Sequence, residues 1–281
     1  MIFIKKFRKI FRTFVRKNFI KNTMIFYFSG TGNSKHVAEK LGGYLDTPVK
    51  NIADYYNEVT TLKNFSLDLD SEDFLGFVSP VHSWGLALPV ARFLKKTKIN
   101  YSGKKVFAVF VCGDTCGKAR EQLQEKLKKK SGISCNFVCS VQMPNTYIVM
   151  KGFGTDSDEL AGKKLETAEK ELPEIAKAIK TGGNFDRYVV GTHPFLKGRI
   201  IYPLFMKFTL GDKKFFADEN CTDCGKCEKV CPEKNISLVQ GRPQWKGHCV
   251  KCLACIHRCP SRAVQYGDIT RNMGRYCFKP L

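Results

Sequence analysis

Long apolar runs are missing from this 281-residue sequence, and none approaches the roughly 18 residues that a membrane-spanning helix needs. A transmembrane protein is therefore excluded. No cleavable signal peptide is expected, because the N-terminal segment is charged throughout and has no clean apolar stretch. Apolar residues make up 43% of the chain and aromatic residues 12%, which excludes a disordered or low-complexity protein. The length fits about two domains.

Acidic residues are scarce beside basic ones, and the net charge of +21 first suggests a nucleic-acid binder. Eight of the positive charges lie in residues 1–23, which contain no acid, so the rest of the chain carries +13. This leader can form an amphipathic helix with phenylalanines on one face, which suits an anionic membrane surface. The alternative is that translation begins at Met24, directly before a predicted strand. We expect membrane contact only through residues 1–23.

Cysteine is abundant, and the odd number of thirteen together with the missing signal peptide argues against disulfides. Metal ligation in a reducing, cytoplasmic location is the better interpretation. Eight cysteines form two bursts, each ending in Cys-Pro: Cys221, Cys224, Cys227, Cys231 and Cys249, Cys252, Cys255, Cys259. The bursts repeat with a period of 28 residues, a unit too small to be held by hydrophobic burial alone.

Each burst has the spacing C-x2-C-x2-C-x3-C-P, which is typical of iron–sulfur ligation in which the fourth cysteine binds the other cluster. One 4Fe-4S cluster is therefore assigned to Cys221, Cys224, Cys227 and Cys259. The second is assigned to Cys249, Cys252, Cys255 and Cys231. The alternative is a pair of structural zinc sites, although zinc rarely needs the third cysteine and the Cys-Pro ending twice over.

Residues 218–268 resemble a bacterial two-cluster ferredoxin, on both bursts and on the short apolar segments that follow them. The resemblance implies a small α+β domain with two 4Fe-4S clusters. Its formal charge of +2 becomes about −2 when two clusters are bound, because each oxidised cluster with its thiolates carries about −2. The basic remainder of the chain then offsets anionic cofactors, and nucleic acid is not expected as a partner.

Residues 24–150 alternate short apolar runs with helical patterns, which predicts an α/β domain with a parallel sheet. Strands are expected over residues 24–28, 73–79, 105–111 and 133–141, and helices over 34–45, 89–96, 117–129 and 156–181. Pro173 should kink or interrupt the last helix.

The segment between the first strand and the first helix is rich in small residues and hydroxyls: Ser29, Gly30, Thr31, Gly32, Asn33, Ser34. Such a turn, with N–H groups at the start of a helix, suits a bound phosphate. It is not a Walker A loop, because the Gly-Lys-Ser/Thr ending is missing. It is not a dinucleotide fingerprint either, because Lys35 stands at the third glycine position.

The turn is similar to the phosphate loop of flavodoxins, which hold the FMN 5′-phosphate without a cationic side chain. Residues 79–85 and 111–115 follow the third and fourth strands, where flavodoxin-like proteins place their flavin loops. The resemblance implies a doubly wound, five-stranded parallel sheet of order 2-1-3-4-5 that binds FMN. It makes Trp84 the candidate for stacking on the ring, and the other FMN-binding candidates in these loops are Pro80, Cys112, Gly113 and Asp114. His82 stands where related fusion proteins carry Tyr.

The whole chain resembles a family that joins an N-terminal flavodoxin-like domain to a C-terminal two-cluster ferredoxin. We predict a leader, an FMN domain, a basic and aromatic connector, a ferredoxin domain and a tail, at residues 1–23, 24–181, 182–217, 218–268 and 269–281. The connector is typical of a segment that packs between domains, and a membrane-surface role is its alternative. The expected function is electron transfer to a redox partner protein or small-molecule acceptor. The alternatives are a flavin-dependent reductase fed by its own clusters, and a flavin-free domain that docks the ferredoxin.

Overall fold

A parallel sheet forms the centre of the N-terminal domain in the computed structural model, which describes residues 24–279 except 63–64, 70–73, 104, 184 and 186. The predicted leader lies outside the described residues. Five strands pair in parallel in the order β2-β1-β4-β7-β8, and a short β5 pairs antiparallel with the end of β4. The strands are β1 Met24–Tyr27, β2 Val49–Asn51, β4 Phe74–His82, β5 Gly85–Leu86, β7 Lys105–Cys112 and β8 Phe137–Gln142. This confirms the predicted sheet of order 2-1-3-4-5.

Helices cover both faces of this sheet, as in a doubly wound fold. The longer ones are α1 Asn33–Leu45, α3 Leu88–Lys96, α4 Ala119–Ser131 and α5 Asp158–Thr181, and short α2 Tyr56–Thr61 follows a 3-10 turn at Ile52–Tyr55. Helices α3 and α4 bury side chains such as Phe93 and Leu123 against one face of the sheet. Helices α1 and α5 bury Leu41 and Leu172 against the other. Because β1, β4 and β7 are covered on both sides, they are almost continuously apolar.

Helix α5 runs unbroken through Pro173, so the predicted interruption is wrong, whereas the predicted kink stays a prediction. Proline inside a helix removes one backbone hydrogen bond and costs about 3 kcal/mol. The buried stripe of α5 offsets that cost, since it includes Ala168, Leu172, Ile175, Ala176 and Ile179. Fully burying one such aliphatic side chain stabilises by about 1.5–3 kcal/mol.

Two strands that the sequence patterns did not predict form a separate parallel pair, β3 Phe65–Leu69 and β6 Thr97–Tyr101. After α5 the chain returns along the edge of the central sheet, where Ser140 N–H donates to the Arg187 carbonyl over 2.8 Å. It then forms a helix over residues 194–209, here named the connector helix. This helix alternates α-helical and π-helical stretches, at Pro194–Leu196, Lys197–Ile201, Tyr202–Leu204 and Phe205–Thr209.

The C-terminal domain consists of two antiparallel strand pairs and two single-turn helices. Strand β9 Phe215–Ala217 pairs with β12 Val264–Tyr266, and β10 Ile236–Val239 pairs with β11 Arg242–Trp245. The helices are α6 Lys226–Lys229 and α7 Ala254–His257. Because β9 pairs with β12, the C-terminal domain begins structurally a few residues before the predicted boundary at 218. Among the described residues, no helix has the length and apolar character needed to cross a bilayer.

Candidate functional site

The eight burst cysteines gather into two groups of four, and each group mixes the two bursts. Cys221, Cys224, Cys227 and Cys259 line one cavity. Cys231, Cys249, Cys252 and Cys255 line another. The structure thus brings together the cysteines that the spacing assigned to each cluster.

Each group of four cysteines supplies four thiol side chains to the lining of its cavity. Within the described residues, no three or more His, Cys, Asp or Glu side chains are close enough to hold a single metal ion. Backbone N–H groups donate to two of the sulfurs, from Asn235 to Cys231 Sγ and from Lys251 to Cys249 Sγ, each over 3.3 Å. Such donors stabilise thiolates and the sulfurs of a bound cluster. Four cysteines around one cavity are the ligand set of a 4Fe-4S cluster, so the residues present fit this group.

The glycine-rich turn, residues 29–34, lies where β1 ends and α1 begins, and it is named the phosphate turn here after its predicted ligand. Helix α1 has no side-chain hydrogen bond at its N-cap and no acidic residue in its first turn, which leaves its positive end available to an anion. A cavity of about 110 Å³ at this end of the sheet is lined by five of the six predicted turn residues, namely Ser29, Gly30, Thr31, Asn33 and Ser34. Gly32 is the exception, and it lies instead against the C-terminal tail, where a Cβ built on it would be 2.9 Å from Phe278 Cβ.

The loop after β4 presents Trp84 in a tight hairpin. Ser83 and Trp84 both have positive φ, at 49° and 58°, and they join His82 to its pairing partner Gly85. Positive φ at both central residues is the geometry of a type I′ hairpin turn, in which glycine or asparagine is preferred because other residues are strained. The strained turn fixes the indole at the wall of a larger cavity, and Lys197 Nζ lies 4.8 Å from its ring centre.

The three predicted flavin loops meet around two adjoining cavities. Pro80 lines the cavity of the phosphate turn and Trp84 lines the larger one. Cys112 and Gly113 line both, and Asp114 lines the larger cavity. His82 also lines both, and burial lowers its pKa to about 4, so its imidazole is neutral at physiological pH.

A buried ion pair that the sequence did not indicate supports the second of these loops. Lys164 Nζ donates to the Gly113 carbonyl over 2.7 Å and to Asp156 Oδ2 over 2.6 Å. Asp156 also accepts from the backbone and side-chain amides of Asn145, over 3.0 and 2.9 Å. Burial opposes ionisation of Asp156, but the hydrogen bonds from Lys164 and Asn145 outweigh it and lower the pKa of this carboxyl. No local motif marks these residues.

The two halves of the site touch at Cys252. This cysteine lines one four-cysteine cavity and both cavities on the flavodoxin-like side. A Cβ built on Gly30 of the phosphate turn would lie 2.3 Å from the Cys252 carbonyl oxygen. The turn that carries a predicted cluster ligand is therefore in direct contact with the turn predicted to bind phosphate.

The C-terminal tail closes over the same turn, although no sequence pattern placed it in the site. Phe278 N–H donates to the Thr31 carbonyl over 2.9 Å, and Tyr276 Oη donates to Asn33 Oδ1 over 2.8 Å. Arg258 Nε donates to the Gly30 carbonyl over 3.3 Å. These contacts join residues about 230 to 250 positions apart, so no local pattern could predict them.

His257 links the tail to the loop after β8. Its Nδ1 accepts from the Tyr276 N–H over 3.1 Å, and its Nε2 lies 2.7 Å from the Thr146 carbonyl. This pairing places the proton of a neutral ring on Nε2, which donates to that carbonyl. Burial is the main cause that lowers the pKa of His257 to about 4.

Comparison with known families identifies both domains. The family model described as a flavodoxin domain matches residues 24–150, and the model described as a 4Fe-4S dicluster domain matches residues 220–264. No curated protein matches the chain.

Among solved structures, a protein described as a flavoprotein from Bacteroides uniformis ATCC 8492 is 16% identical and has a TM-score of 0.31. The matched region covers 43% of this chain and 90% of the flavoprotein chain. An azoreductase from Bacillus anthracis str. Sterne is 8% identical and has a TM-score of 0.36, covering 57% of this chain and 99% of its own. The assignment rests on the two family models. A flavodoxin domain implies a flavin, and a dicluster domain implies 4Fe-4S clusters. The chain is a flavodoxin–ferredoxin fusion.

Proposed function

We propose that this protein is an electron-transfer iron–sulfur flavoprotein that holds one FMN and two 4Fe-4S clusters and exchanges electrons with a redox partner. The observation that carries the proposal is the position of Cys252, which lines a four-cysteine cavity and both cavities at the flavin loops. A flavin exchanges electrons in pairs or singly whereas each cluster carries one, so the pair couples two-electron to one-electron chemistry.

The residues around the flavodoxin-like cavities fit a flavin. The hydroxyls of Thr115 and Tyr147 are buried, and neither has a hydrogen-bond partner among the described residues. Both residues line the larger cavity. Buried polar atoms without a partner are rare in folded proteins, and a bound ligand is one explanation for them. The phosphate turn contributes hydroxyls and an uncapped helix end at the adjoining cavity, which supports FMN as the flavin.

The first test is the cofactor content of protein purified without oxygen. We expect about eight iron and eight sulfide per chain, from two 4Fe-4S clusters, together with one FMN. Two zinc ions and no iron would end the proposal. Intact clusters without flavin uptake would instead leave a domain that docks the ferredoxin.

Paired cysteine variants test whether the clusters have different roles. Cys252→Ser removes the ligand at the contact with the phosphate turn, and Cys224→Ser is the matched control in the other group. Each variant should lose about half of the iron. Only Cys252→Ser should abolish rapid electron exchange between the remaining cluster and the flavin. This exchange would be measured by stopped-flow absorbance. Equal exchange rates in the two variants would contradict a route through the Cys252 cluster.

The size of the larger cavity favours a second candidate, reduction of a small molecule at the flavin. Its volume of about 870 Å³ lies at the upper end of the range of small-molecule pockets, so it is large enough for a substrate-sized ligand. Steady-state turnover of a small acceptor, without a partner protein and with saturation that depends on Trp84, would support this candidate. Rapid reduction of a partner protein without such saturation would support electron transfer alone.

A further inference from the structure

The connector helix presents an apolar face to solvent. Its exposed positions recur in pairs four residues apart, and they are Phe195, Leu196, Arg199, Ile200, Pro203, Leu204, Lys207 and Phe208. Six of these eight side chains are apolar and the other two are basic. Phe195 is 63% exposed and Phe208 is 68% exposed. A helix on the surface of a globular protein normally has the opposite arrangement, with its polar side outward.

The inner side of this helix is firmly held, so the apolar face is a fixed part of the surface. Phe205 is 8% exposed. Tyr202 Oη donates to the Leu86 carbonyl over 2.7 Å. A Cβ built on Gly198 would lie 2.7 Å from the side chain of Lys118. The helix therefore cannot rotate to bury its outer face without breaking these contacts.

Charge indicates what covers the face. No acidic residue occurs between positions 187 and 211, whereas Lys197, Arg199 and Lys207 lie on the helix itself. An apolar stripe with basic flanks is typical of helices that lie in the interface of an anionic bilayer. The face also offers a protein partner no side-chain hydrogen-bond acceptor.

The apolar surface continues from the helix to the mouth of the larger cavity, the one that Trp84 lines, which is called the flavin-side cavity below. Leu204 and Phe208 belong both to the exposed face and to the cavity wall. Met150 and Phe153, which are 39% and 42% exposed, line the same cavity. A flat surface that covers the stripe would therefore meet the rim of this cavity.

We propose that the connector helix seats the protein on an anionic lipid surface. In this arrangement the leucine, isoleucine and phenylalanine side chains enter the acyl boundary, and the lysine and arginine side chains contact anionic headgroups. The mouth of the flavin-side cavity then faces the bilayer. This surface is distinct from residues 1–23, and it does not depend on the identity of the redox partner.

Vesicle binding by the full, cofactor-loaded chain tests the proposal. Leu196→Glu with Ile200→Glu should lower the fraction bound to phosphatidylglycerol vesicles by at least about tenfold, because two carboxylates replace apolar side chains at the headgroup level. Leu160→Glu with Val239→Glu is the control, since both of these residues are 44% exposed and lie elsewhere. Neutral phosphatidylcholine vesicles should bind the unmodified chain much more weakly. Equal loss in both double variants, or equal binding to both lipids, would refute the proposal.

A site-specific probe separates the helix from the leader. Phe195→Trp places a reporter on the exposed face, and Leu160→Trp is its control; Trp84 and Trp245 give the same background in both. Brominated lipids should quench the fluorescence of the first variant much more strongly. Vesicle-bound protein in which the two variants are quenched equally would show attachment through the leader alone and overturn the proposal. The proposal is also overturned if the glutamate variants alter self-association without altering lipid binding, because a second copy would then cover the face.

Discussion

Replacing Gly30 by alanine tests most directly the contact between the phosphate turn and the turn that carries Cys252. The added Cβ would lie 2.3 Å from the Cys252 carbonyl oxygen and 3.2 Å from its carbonyl carbon. Both are backbone atoms, so no side-chain rotation can relieve the clash. Gly30 does not have a positive φ, so alanine fits the local backbone and the effect comes from the contact alone. The two turns must move apart by roughly 1 Å to reach ordinary contact distance.

The expected cost is that of overpacking, about 1–3 kcal/mol. Separation also stretches the hydrogen bond from Arg258 to the Gly30 carbonyl, now 3.3 Å long. Displacement of the phosphate turn should weaken FMN binding by about tenfold, which corresponds to about 1.4 kcal/mol. Electron exchange between cluster and flavin should slow as well.

The matched control is Gly43→Ala in helix α1. Nothing lies within 4 Å of a Cβ built there, and alanine in an exposed helix position stabilises by about 0.5–1 kcal/mol relative to glycine. Thermal unfolding and flavin titration under anaerobic conditions would compare the two variants. Midpoints are the safer measure, because unfolding of a multidomain protein with bound cofactors is not two-state. If Gly30→Ala matches Gly43→Ala in unfolding midpoint and FMN affinity, the interdomain contact is wrong.

Three further substitutions probe the site. Cys231→Ser should lower the iron content from about eight to about four per chain. It should remove the same cluster signal in electron paramagnetic resonance as a variant of Cys249, Cys252 or Cys255. If Cys231→Ser instead removes the signal that is lost in variants of Cys221, Cys224 or Cys227, each cluster is bound within one burst. Lys164→Met removes the charged hydrogen bond to the Gly113 carbonyl, and such a bond contributes about 1.5–3 kcal/mol, so FMN binding should weaken by about tenfold. Lys163 is exposed, so Lys163→Met should leave FMN binding unchanged in the same titration. Tyr276→Phe removes the 2.8 Å hydrogen bond to Asn33, so we expect about 1 kcal/mol of destabilisation and faster hydrogen exchange in the tail; unaltered exchange would contradict the docking of the tail.

Sequence reasoning succeeded where the signal is local or where chemistry fixes the spacing. The buried strands β4 and β7 are long apolar runs, and helix α4 buries Leu123 and Leu127 four residues apart, so these elements could be predicted. The three-residue strand β2 was not predicted from its residues, and the strand order came from the resemblance to flavodoxins. The structure also places Cys231 with the second burst and Cys259 with the first, as the spacing predicts, and their ligation of clusters stays a prediction.

The contacts that sequence reasoning missed are long-range and use ordinary residues. Lys164 is one of several lysines on α5, and only the fold places it beneath the Gly113 carbonyl. The tail residues Tyr276 and Phe278 have no motif, and their partners lie at the other end of the chain. Pro173 is an error of the opposite kind. The local rule that proline interrupts a helix predicted a break, but the packing of a long buried helix face keeps α5 continuous.

The contacts between domains give a physical reason for joining them in one polypeptide. Gly30 and the Cys252 carbonyl are so close that a methyl group does not fit between them, and the buried carboxylate of Glu233 pairs with Arg92 across the same interface. Two separate proteins that met by diffusion would have to re-form these contacts at every encounter and would lose translational freedom each time. A covalent connector makes the association intramolecular, with an effective concentration in the millimolar range for short linkers. The connector helix is anchored to the flavodoxin domain through Tyr202, so the link is held in place rather than a free tether. If the interface carries the function, the same two domains produced as separate chains should bind their own cofactors yet exchange electrons at a rate that depends on concentration. Rates that do not change with dilution would mean that the interface forms without the connector, and the case for a covalent link would fail.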